Sequence, residues 1–209
     1  MKCRNASAPR NVKSVATAIA LAFVFGSASA GNDFDYCLLC HGANANGNYG
    51  IRAPKLSGME PWYLARQLEN FAVGARGTSA EDAPGHEMGP VGMRLKAEGA
   101  IDAAVQFIGK LDSKRPAPTL TGDVAHGKKL YENCASCHGA RGEGNPALQS
   151  PALAARSDWY LVTQLTNYQK GLRGADERDT YGAQMRAIVA TLPDEKAITD
   201  VVAYINTLK

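Results

Sequence analysis

Two pentapeptides, Cys37-Leu38-Leu39-Cys40-His41 and Cys134-Ala135-Ser136-Cys137-His138, lie 97 residues apart in this chain of 209 residues. The same offset holds without a gap from Cys37 opposite Cys134 to Leu111 opposite Leu208, with 28 identities in 75 aligned positions. Pro54 pairs with Pro151, Trp62-Tyr63-Leu64 with Trp159-Tyr160-Leu161, and Gln67-Leu68 with Gln164-Leu165. Gly74, Arg76 and Gly77 pair with Gly171, Arg173 and Gly174. Repetition at this length means two copies of one structural unit. Between them, Asp112 to Gly122 contains Pro116 and Pro118 and reads as an extended linker. The expected domains are 31–112 and 122–209, joined by 113–121.

The spacing C-x-x-C-H is the one used to attach c-type haem. Two thiols add to the two vinyl groups of one porphyrin, and the next residue presents its imidazole to the iron. Cys37, Cys40, Cys134 and Cys137 are thus expected to hold two covalently attached haem c groups, with His41 and His138 as iron ligands. Redox C-x-x-C pairs or a four-cysteine zinc site are the competing readings. A histidine following both copies argues against each of them.

The repeat register also points to the second iron ligand, because Met88 falls opposite Met185. Beyond residue 30 only Met59 and Met93 remain, and they face Arg156 and Ala190. Met93 is the rival in the first copy, but the gapless flanking landmarks favour Met88. A methionine can also be plain core filler.

The fold class expected is all-α. Ile198, Val201, Val202, Ile205 and Leu208 recur at helical spacing, as do Ile101, Ala104, Val105, Ile108 and Leu111, so each copy should end in an amphipathic helix. Thr191 with Asp194 resembles a capping box before the second of these. Leu64, Leu68 and Phe71, matched by Leu161, Leu165 and Tyr168, mark a middle helix, with Pro61 suited to its first position and Gly74 or Gly77 to its end. A third helix should run from Asp123, a suitable N-cap, into Cys134. The first copy has little room for its equivalent if the chain is cut after Ala30, since only Gly31 to Tyr36 then precede Cys37.

That cut is expected because Lys2, Arg4, Arg10 and Lys13, an apolar run from Val15 to Phe25 and Ala28-Ser29-Ala30 compose a signal peptide over 1–30. The run is well short of the roughly 20 residues that span a bilayer. Removal takes four basic residues, so the formal charge of +3 becomes 19 basic against 20 acidic residues. Haem propionates would add further negative charge, which speaks against nucleic-acid binding. Cys3 leaves with the same segment, and the four remaining cysteines are all used in the two motifs. None is left for a disulfide or a thiolate ligand.

Taken together, these residues resemble the class I c-type cytochromes, and the duplicated arrangement is similar to the dihaem cytochrome c4 family across residues 31 to 209. The resemblance implies two tandem class I domains, each a few helices wrapped around one haem. It further implies a periplasmic electron carrier, soluble or loosely membrane-associated, with no transmembrane span in the mature chain. Redox partner proteins would be a quinol-oxidising complex or dehydrogenase as donor and a terminal oxidase or reductase as acceptor. His/Met ligation would favour the reduced iron, raise the potential and leave no coordination site for a substrate. The other readings are a dihaem enzyme with one open haem and a dedicated subunit of a larger membrane oxidoreductase. The lack of spare cysteines and the paired methionines disfavour the enzyme.

In similar cytochromes a proline thirteen residues after the histidine offers its carbonyl to the imidazole N–H, which assigns that role to Pro54 and Pro151. Arg76 and Arg173 can pair with haem propionates or serve as solvated helix-end charges. Trp62 and Trp159 can donate to a propionate or pack against the ring edge, packing being the simpler expectation. His86, two residues before Met88, can compete as a ligand, but its counterpart is Ala183. His126 is expected at the surface.

Overall fold

The computed structural model describes residues 34–209, so the expected signal peptide and its cleavage after Ala30 lie outside the described residues. Both repeats belong to one structural unit, Asn32–Lys209. The first repeat contributes α1 (Tyr36–His41), α2 (Pro61–Ala72), α3 (Ala83–Ala97) and α4 (Ile101–Gly109). The second contributes α5 (Val124–His138), α6 (Asp158–Gln169), α7 (Thr180–Val189) and α8 (Glu195–Ile205). Among the described residues the only β pairing is two isolated bridges, Asn48 with Ala53 and Asn145 with Ser150, at equivalent points of the repeats.

Local signals account for most boundaries. Pro61 opens α2, where its missing N–H and fixed φ suit the first turn. Asp123 caps α5 by accepting from the His126 amide at 2.9 Å. The capping box at Thr191 does not form. Asp194 caps α8 instead, accepting from Ala197 N at 2.8 Å, while the Thr191 hydroxyl donates back to Ile188 O at the end of α7. Helices α3 and α7, which carry the two methionines, have no clear apolar periodicity. Pro84, Gly85, Gly89, Pro90 and Gly92 mask the first of them.

Each repeat builds its core on its last helix. Ile198, Val201, Val202 and Ile205 of α8 meet Leu161, Tyr168 and Val189, with Ile198 and Val202 fully buried. The first repeat packs Ile101, Val105 and Ile108 against Leu64 and Leu95, and Tyr160 of the second repeat joins that cluster. Helix α5 lies along α8, where a Cβ on Gly127 would stand 1.9 Å from the Asp200 carbonyl oxygen. In the first repeat α1 begins only at Tyr36, and the α4 residue opposite Tyr204 is Phe107, which Phe34 covers at a ring separation of 6.0 Å.

Residues 112–123 carry no regular structure but are firmly tied down. Lys114 N donates to Asn46 Oδ1 at 2.9 Å, and buried Asp158 accepts from Thr119 Oγ1 at 2.7 Å and from Leu120 N at 3.0 Å. Lys55, 2% exposed, donates to Ser57 O and to Ser113 Oγ at 2.8 Å. Burial, with help from the charge of Arg156, lowers its ammonium from 10.5 to about 8. The unfolded chain then binds the extra proton between those values, so stability gains from Lys55 deprotonation as pH rises from about 8 towards 10.5. Thermal melts across that range should show the wild type gaining on the order of 2 kcal/mol relative to Lys55→Met. Parallel curves for the two proteins would contradict this burial effect.

Candidate haem sites and the wall between them

The C-terminal turns of α1 and α5 carry the cysteines and histidines, and each opens onto a cavity. The cavity of the second repeat has about 1370 Å³ of non-atom space including its mouth and is lined by Cys134, Cys137, His138, Pro151 and Met185. The first repeat has about 1440 Å³, lined by Cys37, Cys40, His41, Pro54 and Met88. Both linings set paired thiols, an imidazole and a thioether among mostly apolar side chains, which suits a flat apolar cofactor. Ten of the expected positions, the four cysteines, two histidines, two prolines and two methionines, thus fall into two matched linings.

Each histidine is oriented by a backbone carbonyl. His41 Nδ1 lies 2.7 Å from Pro54 O, and His138 Nδ1 lies 2.7 Å from Pro151 O. A carbonyl only accepts, so Nδ1 carries the proton and Nε2 keeps its lone pair for a metal. Burial holds both imidazoles below the ordinary histidine value, although the proline carbonyls act in the opposite direction. Met185 Sδ stands 3.5 Å from His138 Nε2, thioether facing imidazole across the cavity. Met88 lines the corresponding cavity, whereas Met93 is 53% exposed and lines neither. His86 is exposed, lies 3.1 Å from Gly77 O through Nδ1, and lines neither cavity. His126 is half-buried and binds Asp200 Oδ2 at 2.8 Å.

Burial pushes the Cys134 thiol up to about 11, with Cys137 adding to the effect, and burial also raises Cys37. No cluster of three His, Cys, Asp or Glu residues suited to a metal ion occurs among the described residues.

Arg76 and Arg173 are not solvated helix-end charges. They are 5% and 3% exposed, and each reaches across to the other repeat. Arg76 donates to Gln67 Oε1 and Gln164 Oε1, both at 2.8 Å, and to the Tyr160 hydroxyl at 3.3 Å. Arg173 donates to Gln164 Oε1 and Gln67 Oε1, both at 2.8 Å, and to the Tyr63 hydroxyl at 3.0 Å. The turn after each middle helix makes this possible. Gly77 and Gly174 adopt φ of +77° and +72°, and a Cβ there would lie 2.3 and 2.2 Å from the Gly85 and Gly182 carbonyls. The Nε atoms of both arginines are buried without a protein acceptor, and Arg76 and Arg173 line the first and second cavity respectively. A buried N–H donor at the edge of each cavity is what an anionic cofactor group such as a haem propionate would satisfy. The donor set, the free Nε2 and the paired thiols all fit haem.

Trp159 crosses the boundary. It lines the cavity of the first repeat rather than its own and sits 5.7 Å from the Tyr49 ring at 73°, while Trp62 lines neither cavity and lies under Arg66. Tyr63, Gln67, Tyr160 and Gln164, which the repeat register pairs with one another, line both cavities at once and form the wall between them. Their identity in the two copies was the available signal. Burial raises the Tyr63 phenol, but the nearby charges of Arg173 and Arg76 outweigh it and hold the phenol below the ordinary tyrosine value.

The sequence profile of the cytochrome c family matches residues 124–209. A thiosulfate dehydrogenase electron acceptor of Thiomonas intermedia (strain K12) is 33% identical over 80% of this chain and 79% of that protein. Cytochrome c4 of Azotobacter vinelandii is 28% identical over 90% of this chain and 92% of its own length. Among solved structures, a thiosulfate dehydrogenase (TsdBA) from Marichromatium purpuratum superposes with a TM-score of 0.66 at 30% identity, and 83% of this chain spans 36% of that longer one. Acidithiobacillus ferrooxidans cytochrome c4 gives a TM-score of 0.66 at 24% identity, covering 83% of this chain and 99% of the other.

Proposed function

The chain belongs to the cytochrome c4-like family of dihaem c-type cytochromes, an electron carrier and not a substrate-turning enzyme, and from that premise we propose how its residues serve the task. Cys37 and Cys40 would attach one haem and Cys134 and Cys137 a second, and His41 with Met88, and His138 with Met185, would hold the two irons. When bound, haem supplies a one-electron iron couple whose potential a thioether ligand raises. The chain holds each imidazole by its Nδ1 proton, lines both cavities with mostly apolar side chains, and would offer the thioethers of Met88 and Met185 as a second protein ligand to each iron. The observation that supports this reading most directly is the repeated cavity lined by an imidazole tied to a proline carbonyl and by a methionine.

Domains of 31–112 and 122–209 would each carry one haem, and the periplasm would be reached through removal of residues 1–30. No helix among the described residues is long and apolar enough to cross a membrane. The donor would be a dehydrogenase or a quinol-oxidising complex, and relatives named as electron acceptors of thiosulfate dehydrogenase support the dehydrogenase. The acceptor would be a terminal oxidase or reductase. Coulometric titration of protein purified from a periplasmic fraction should take up two electrons per chain, with Gly31 at the N-terminus. One electron per chain, or protein confined to the cytoplasm, would refute it.

A further inference from the structure

The wall between the cavities contains two buried cations with no anion of their own. Gln67 Oε1 accepts from both Arg76 and Arg173, and Gln164 Oε1 does the same, all four contacts at 2.8 Å. The two guanidiniums and two amide oxygens thus close a ring in which every member contacts the opposite repeat. Tyr63 and Tyr160 seal it through their hydroxyls, and Phe71 and Tyr168 place aromatic faces 4.5 and 4.6 Å from the guanidinium carbons. Neither arginine takes part in an ion pair among the described residues. Of the nearby buried carboxylates, Asp82 and Asp179, one oxygen of each accepts from an amide that starts α3 or α7, while the other is buried without a hydrogen-bond partner and forms no ion pair with either arginine.

Like charges brought together out of water are costly unless something negative is near. Surface position cannot be the reason for them, because both are almost fully buried. The ring is also not the property of either cavity. Tyr63, Gln67, Tyr160 and Gln164 line both, and each arginine lines one while bonding residues that line the other. A buried positive charge in such a wall disfavours whichever haem is oxidised, since oxidation adds a positive charge to the iron.

We propose that Arg76 and Arg173 form one electrostatic unit shared by the two cavities, which raises the reduction potential of both haems. The proposal rests on the two-haem reading. Each arginine is a positioning residue for electron transfer and acts on the haem of the opposite repeat as well as on that of its own. If each served only as a private partner for the propionates of its own haem, its loss would be felt in one cavity alone.

Potentiometric titration with the haem methyl resonances followed by NMR tests this, since it reads the two midpoints separately. The wild-type holoprotein is first shown to carry two low-spin haems per chain; a lower count defeats the two-haem reading and not the shared unit. Arg76→Gln should then lower the reduction equilibrium of its own haem about tenfold, about 59 mV, and that of the other haem at least threefold, about 28 mV. Arg173→Gln should do the same with the haems exchanged. Arg76→Lys, which keeps the cation, should return both midpoints towards wild type. A single moving midpoint in each variant, or a lysine variant as low as the glutamine variant, overturns the proposal. Should Arg76→Gln fail to accumulate as holoprotein, Gln164→Glu decides the matter: a carboxylate against both guanidiniums should lower both midpoints, and a fall in one or neither overturns it.

Discussion

Met185→Ala is expected to open the haem of the second repeat to carbon monoxide and lower its potential, while the haem of the first repeat stays as it was. The Met185 sulfur faces His138 Nε2 at 3.5 Å, and no other methionine lines that cavity except Met59 in the wall shared with the first. Axial ligand identity moves haem potentials over roughly 0.8 V, so a fall on the order of 100 mV is the expected scale. Met88→Ala should have the mirror effect, and Met93→Ala none, because Met93 is exposed and away from both cavities. Spectra with and without carbon monoxide, with a redox titration of each variant, read all three. A sensitive Met93 variant would return the first-repeat ligand to its rival.

Gly127→Ala should be the most damaging single methyl in the second repeat. The added Cβ would be placed 1.9 Å from the Asp200 carbonyl oxygen and 3.1 Å from the Tyr204 Cβ, so α5 must leave α8. Backbone cannot yield as a flexible side chain does, and a loss of about 3 kcal/mol is expected. For a chain of this size that is a fall in Tm of roughly 6–12 °C. Because α5 carries Cys134, Cys137 and His138 at its end, the same displacement should reduce haem loading of the second repeat before the first. Thermal melts and haem stoichiometry check it; an unchanged Tm would mean that α5 and α8 do not depend on this contact.

The elements read most easily from the chain were those whose information is local. The C-x-x-C-H motifs, the 97-residue offset and the periodicity of α4 and α8 each sit within a short stretch, and offset alone was enough to prefer Met88 over Met93. Helices α3 and α7 were harder, because their burial is confined to a few residues such as Gly85, Gly92, Leu95 and Val189, and proline and glycine obscure the pattern. What was not legible lies between the repeats. A buried arginine that bonds residues 84 and 88 positions away leaves no periodic trace, and neither does a tryptophan that lines its partner's cavity. Such contacts arise only when two copies of one fold are set face to face, so they follow from tertiary packing and not from any window of sequence.

The most direct test of the two-haem carrier is a set of visible spectra of the purified holoprotein, oxidised and reduced, with and without carbon monoxide, beside a haem count per chain. Two haems are expected, both low-spin, with a methionine–iron band in the oxidised form and no reaction with the gas. A haem that binds carbon monoxide readily would show an open or labile iron, contradict axial ligation by both Met88 and Met185, and move the chain towards substrate chemistry.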